Sequence, residues 1–96
     1  MLDLNKIRNI LHLLKPELKQ KYSVGSIGLF GSIVRDDFNA NSDVDIIVDF
    51  NNPIGIEFVT LADELEKKLN CKVDLVSRAG IKQKYFKEIE PEIIYV

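Results

Sequence analysis

A chain of 96 residues, 46% apolar and 29% charged, has the length and make-up of one globular domain, because domains usually run to roughly 100–200 residues. Its 13 Lys plus Arg against 15 Asp plus Glu leave a formal charge of −2, which excludes the strongly basic balance of a nucleic-acid coat, so no direct nucleic-acid binding is expected. Cys71 is the single cysteine; an internal disulfide and a cysteine-based zinc site are excluded, and the apolar runs fall far short of the roughly 20 residues that span a bilayer. The expectation is a cytoplasmic protein with no membrane partner, a single domain over residues 1–96, too small to enclose a deep pocket.

In chain order, Leu4, Ile7, Leu11, Leu14 and Leu18 recur at spacings of three and four, which predicts an amphipathic helix from Leu2 to about Gln20. Gly25-Ser26 reads as a break, and Ile27–Phe30 as a short strand that stops at Gly31-Ser32 and turns into a short helix. From Asp43 to Phe50 the chain alternates. In a strand that pattern sends Val44, Ile46, Val48 and Phe50 to a core and Asp43, Asp45, Ile47 and Asp49 to the other face. Phe58, Leu61, Ala62, Leu65 and Leu69 return to helical spacing, with Asn70 as the stop. Lys72–Ser77 alternates again, with Val73 and Leu75 on one face and Asp74 and Val76 on the other. Ile81, Tyr85 and Ile89 mark a last helix ended by Pro91, and Glu92–Val96 stays unassigned. The order α, β, short α, β, α, β, α predicts an α/β domain with a small sheet packed against helices.

Three acids stand where acids are costly. An ionised carboxylate among packed apolar residues carries a heavy desolvation penalty unless a cation compensates it, yet Asp43, Asp45 and Asp74 all fall on apolar strands. Asp43 and Asp45 share a face, with Cα atoms about 6.6 Å apart at ~3.3 Å per residue. If the Asp74 strand pairs beside them, three carboxylates converge and suit hard, oxygen-seeking ions such as magnesium, in the two-metal arrangement of phosphoryl chemistry. Gly31-Ser32 supplies the complementary half, since glycine lets backbone approach a ligand and a turn into a helix presents amide hydrogens to phosphate. The Ser32 hydroxyl can serve a phosphate or cap the short helix. Arg35 can reach a phosphate or hold a local acid.

Other features read as ordinary structure. Asp49 lies about 13 Å from Asp45 along the strand and is a solvated end. His12, the single histidine, is no transition-metal site by itself. Gly25, Gly28 and Gly31 match neither a dinucleotide fingerprint nor a P-loop. Arg78, Lys82, Lys84 and Lys87 form a solvated basic face on the last helix, and Tyr85 and Phe86 belong to core or interface.

Leu29-Phe30-Gly31-Ser32-Ile33-Val34-Arg35, Ser42-Asp43-Val44-Asp45-Ile46-Ile47-Val48 and Val73-Asp74-Leu75 together resemble the minimal nucleotidyltransferases of the DNA polymerase beta superfamily, whose hallmark is G-S-x10-D-x-D. The resemblance implies a palm-like α/β fold with a small mixed sheet and two magnesium ions. It makes Asp43, Asp45 and Asp74 the metal ligands and catalytic residues, with Asp74 helping to deprotonate the attacking hydroxyl. Gly31, Ser32 and Arg35 become the residues that bind ATP, the substrate. Where the family often has a small residue after the arginine, this chain has Asp36-Asp37-Phe38, which adds negative charge beside the phosphate site. Members of this length resemble the antitoxin halves of toxin–antitoxin pairs, which transfer AMP to a tyrosine of a partner HEPN-type toxin. Two alternatives remain at this stage: an antitoxin that neutralises its toxin by binding alone, and a nucleotidyltransferase acting on a small molecule. Pairing with a second copy through a sheet edge is also left open.

Overall fold

The structure is a computed structural model and describes residues 2–96. Helix α1 (Leu4–Tyr22) begins two residues later than its apolar spacing suggests, because the Asp3 side chain accepts the Lys6 N–H at 2.9 Å and caps the first turn. It runs on to Tyr22 and ends at Ser23, which takes the left-handed conformation with φ 56°. There follow β1 (Val24–Phe30), α2 (Ser32–Arg35), β2 (Val44–Phe50), α3 (Glu57–Leu69), β3 (Val73–Ser77) and α4 (Gln83–Ile89), in the predicted order. A 3-10 turn at Glu90–Glu92 then leads into β4 (Ile94–Tyr95). No helix among the described residues is long and apolar enough to cross a membrane.

The sheet order is β3-β2-β1-β4. β1 runs antiparallel to both β2 and β4, while β2 and β3 are parallel, joined by the α3 crossover. Helices α1 and α3 cover one face. Ile7, Leu11 and Leu18 meet Leu61, Leu65 and Leu69 there, over Val44, Ile46 and Val48 from β2; each such fully buried side chain contributes about 1.5–3 kcal/mol. Asn70 ends α3 in the left-handed conformation, as its place after Leu69 suggests.

Five readings are corrected or completed. Gly25-Ser26 is no break, since both residues lie inside β1 at a register shift between Val24 and Ser26, and the turn out of α1 falls at Ser23 instead. A bulge absorbs the extra residue without ending the strand. Ile47 is buried although it shares a face with the acids, because α4 covers that side and packs Phe86 and Ile89 on Phe30 and Ile47. On α4 the inward residues are Phe86 and Ile89, while Tyr85 is exposed and Ile81 precedes the helix. Arg78 also precedes α4, and its guanidinium lies 3.6 Å from the centre of the Phe86 ring rather than in a basic helical face. Finally, the unassigned tail supplies β4, whose Ile94 and Tyr95 pair with Leu29 and Gly28.

Candidate active site

β2 and β3 are parallel neighbours in a register that sets Val44 beside Val73, Asp45 beside Asp74 and Ile46 beside Leu75. Because side chains alternate across a strand, Asp45 and Asp74 project from the same face, the one α4 covers further along at Ile47. The two carboxyls are close enough for Asp74 to perturb the ionisation of Asp45. On the other side, β1 ends with Phe30 opposite Asp45, which brings the turn at Gly31 directly against that carboxylate. Gly31 holds φ 78° and ψ −151°, a region almost reserved to glycine. A Cβ there would also collide with the Asp45 carboxylate. Glycine is thus demanded twice at this position, by backbone conformation and by space.

The acids differ in environment. Asp45, on an interior strand, is partly buried, whereas Asp43 and Asp74 are exposed. The desolvation that the sequence suggests for Asp74 falls on Asp45 instead, because β3 is an edge strand and leaves its outer side to water. Burial first, then the charge and hydrogen bond of Asp74, lift the Asp45 carboxyl from its ordinary 3.8 to about 6; Asp43 adds to the effect, and Arg35 opposes it. Among the described residues no three acids stand close enough to form a ready-made metal centre. Asp45 and Asp74 form the pair, and Asp43, one residue before β2, acts on it through its charge. This all-oxygen donor set, crowded with like charge, fits a hard divalent cation.

The remaining residues complete one wall. Ser32 is the first residue of α2, which is capped by Gly31 without any side-chain hydrogen bond, so the Ser32 hydroxyl does not cap the helix. Arg35 Nη1 donates to both oxygens of Glu92, at 3.2 and 3.3 Å, and Arg35 Nε lies 4.0 Å from Asp37. The Gly31 N–H donates to the same Glu92 carboxylate at 2.9 Å. Glu92 is the residue that the sequence reading missed; its one signal is its place directly before the apolar tail Ile93–Val96, and that tail is too short to reveal β4. Asp49 is exposed at the far end of β2, as expected. Beside Asp43 opens a groove of about 750 Å³, walled by Phe38, Ser42, Asp43, Cys71 and Lys72 among others.

The nucleotidyltransferase domain profile matches residues 11–95, nearly the whole chain. The chain belongs to the nucleotidyltransferase domain family. It is 41% identical over 97 residues to the protein adenylyltransferase MntA of Thermococcus cleftensis, covering 100% of this chain and 98% of that protein. Its fold superposes on a solved minimal nucleotidyltransferase with a TM-score of 0.82 at 26% identity, covering 97% of this chain and 95% of the other. A toxin–antitoxin structure with AMP-PNP matches at a TM-score of 0.74 and 26% identity, over 98% of this chain and 72% of that one. The mixed α/β architecture and the membership implied by the Gly31-Ser32 and Asp43-x-Asp45 pattern are both borne out.

Proposed function

We propose that this nucleotidyltransferase is a magnesium-dependent protein adenylyltransferase that acts as an antitoxin, moving AMP from ATP onto a tyrosine hydroxyl of a HEPN-type toxin. The observation that carries the reading is the pairing of Asp45 with Asp74 directly beside the Gly31-Ser32 turn. The adenylyltransferase relative and the toxin–antitoxin neighbour that holds an ATP analogue support it.

In this reading Gly31, Ser32 and Arg35 hold the triphosphate, with the close approach at Gly31 keeping the phosphates near the Asp45 side of the sheet. Asp43, Asp45 and Asp74 would hold two magnesium ions, which when bound neutralise charge on the phosphates. The tyrosine oxygen forms a bond to the α-phosphorus while the bond from that phosphorus to the bridging oxygen breaks. Pyrophosphate leaves, and the hydroxyl proton passes to Asp74, the more exposed of the two paired acids.

The test is to incubate the chain with ATP, magnesium and the product of the neighbouring gene, and to weigh the partner intact. A mass increment of one or more AMP groups, mapped to tyrosine and lost in the Asp43→Asn, Asp45→Asn double variant, is the expected result. Neutralisation of the toxin that survives this double change would overturn the catalytic account in favour of binding alone. Transfer to a small molecule with no change in the partner would overturn the protein substrate.

A further inference from the structure

The contact between Glu92 and the Gly31–Arg35 segment joins parts of the chain 57 and 61 residues apart. It follows from the sheet. β4 pairs with β1 through Leu29 opposite Ile94 and Gly28 opposite Tyr95, and continuing that antiparallel register sets Glu92 across from Gly31. At that point β4 has given way to the 3-10 turn, so the Gly31 amide meets a side-chain carboxylate where a strand carbonyl would otherwise lie.

The same carboxylate takes Arg35 through both oxygens, and it is the more sheltered partner, its side chain 25% exposed against 54% for Arg35. Arg35 has other acids within reach: Asp37 at 4.0 Å, and Asp45, on which its charge already acts. Without Glu92 the guanidinium would be drawn to Asp37 or across to the Asp45–Asp74 pair, leaving the mouth of the Gly31-Ser32 turn.

We propose that Glu92 is a positioning residue of the nucleotide site: its carboxylate takes the Gly31 N–H and Arg35 Nη1, which fixes the Gly31-Ser32 turn and leaves the other N–H groups of the guanidinium to the phosphates of a nucleoside triphosphate. This inference rests on the reading of the site given above. Glu92 acts through Arg35 and Gly31 and takes no part in proton transfer, so its loss weakens nucleotide binding more than turnover.

The test is the Glu92→Gln variant, which keeps an oxygen for the Gly31 N–H and removes the charge that holds Arg35. The Kd for AMP-PNP with magnesium is measured by calorimetry for the wild type, Glu92→Gln, Arg35→Gln and the double variant. KM for ATP and kcat are measured with the cognate toxin as acceptor. Expected are a rise of about tenfold in Kd and KM, the order of one charge-assisted hydrogen bond, and a kcat within about threefold of the wild type, since uniform binding alone is lost. In the Arg35→Gln background the further change should add less than about twofold, because two residues acting as a unit are not additive. A Kd unchanged in Glu92→Gln, or an equal loss in both backgrounds, would overturn the positioning role while leaving the site assignment standing. A wild-type chain that binds no AMP-PNP would overturn both.

Discussion

Replacing Asp45 with Asn should make the metal-free protein more stable at neutral pH. Its carboxyl is raised to about 6, first by burial and then by Asp74 and Asp43, with Arg35 giving only partial relief. The folded state therefore holds the Asp45 proton more tightly than the unfolded chain. Stability that is fully present below pH 3.8 is lost as pH rises to about 6 and stays lost above it. A shift of about two pH units corresponds to about 3 kcal/mol. Asp45 is only partly buried, so solvent screening reduces this to about 1–2 kcal/mol. The Asn side chain has Asp45's shape without the charge, so Asp45→Asn should recover that amount at pH 7.5 and almost nothing at pH 4, where the wild-type acid is already largely neutral. Urea unfolding in EDTA at the two pH values measures it, and the gain at pH 7.5 should also raise Tm by about 5–10 °C in a chain of this size. Equal stability changes at both pH values, or a loss at pH 7.5, would refute the view that Asp45 is held at a cost to the fold.

The other predictions concern single positions. Gly31→Ala should destabilise by about 2–3 kcal/mol in urea unfolding, because alanine is strained at φ 78° and its Cβ meets the Asp45 carboxylate; adenylyl transfer should be lost with it. Asp74→Asn should lower kcat about 10²–10⁴-fold, the usual contribution of a proton acceptor, with the fold intact by circular dichroism. Asp49→Asn, at the exposed far end of β2, should leave transfer within about twofold, so a large loss would show that the acids of this strand are not divided as described. Tyr22→Phe removes the hydroxyl that donates to Glu64 at 2.9 Å, while Lys21 still holds that carboxylate at 2.8 Å; the expected cost in thermal or urea unfolding is about 0.5–1.5 kcal/mol.

The elements that pack against a full helix or strand were legible in the residues. Leu4 to Leu18 and Phe58 to Leu69 show helical periodicity, and Val44 to Phe50 alternates, because each presents one side to the Leu61–Leu65–Leu69 core. That Asp45 and Asp74 meet was legible only on the condition that their strands pair: phase within a strand decides which side chains share a face, while the parallel β2–β3 register sets the two side by side. Features set by long-range pairing were not legible. Nothing local marks Ile94 and Tyr95 as a strand, because two residues carry no period and their order comes from β1. Glu92 was hidden for the same reason, its role arising only when β4 docks beside Gly31. Phe86 rather than Tyr85 faces inward because α4 starts at Gln83, a start no side-chain cap announces. The division of burial among the three acids was equally out of reach, since it depends on β3 lying at the sheet edge and β2 inside it.

The most direct measurement is a calorimetric titration of magnesium, in the presence of AMP-PNP, into the wild-type chain and into the Asp45→Asn, Asp74→Asn double variant. Saturable binding to the wild type and none to the variant, both folded by circular dichroism, is what paired carboxylates kept for a divalent cation require. Equal binding to the two proteins would contradict it.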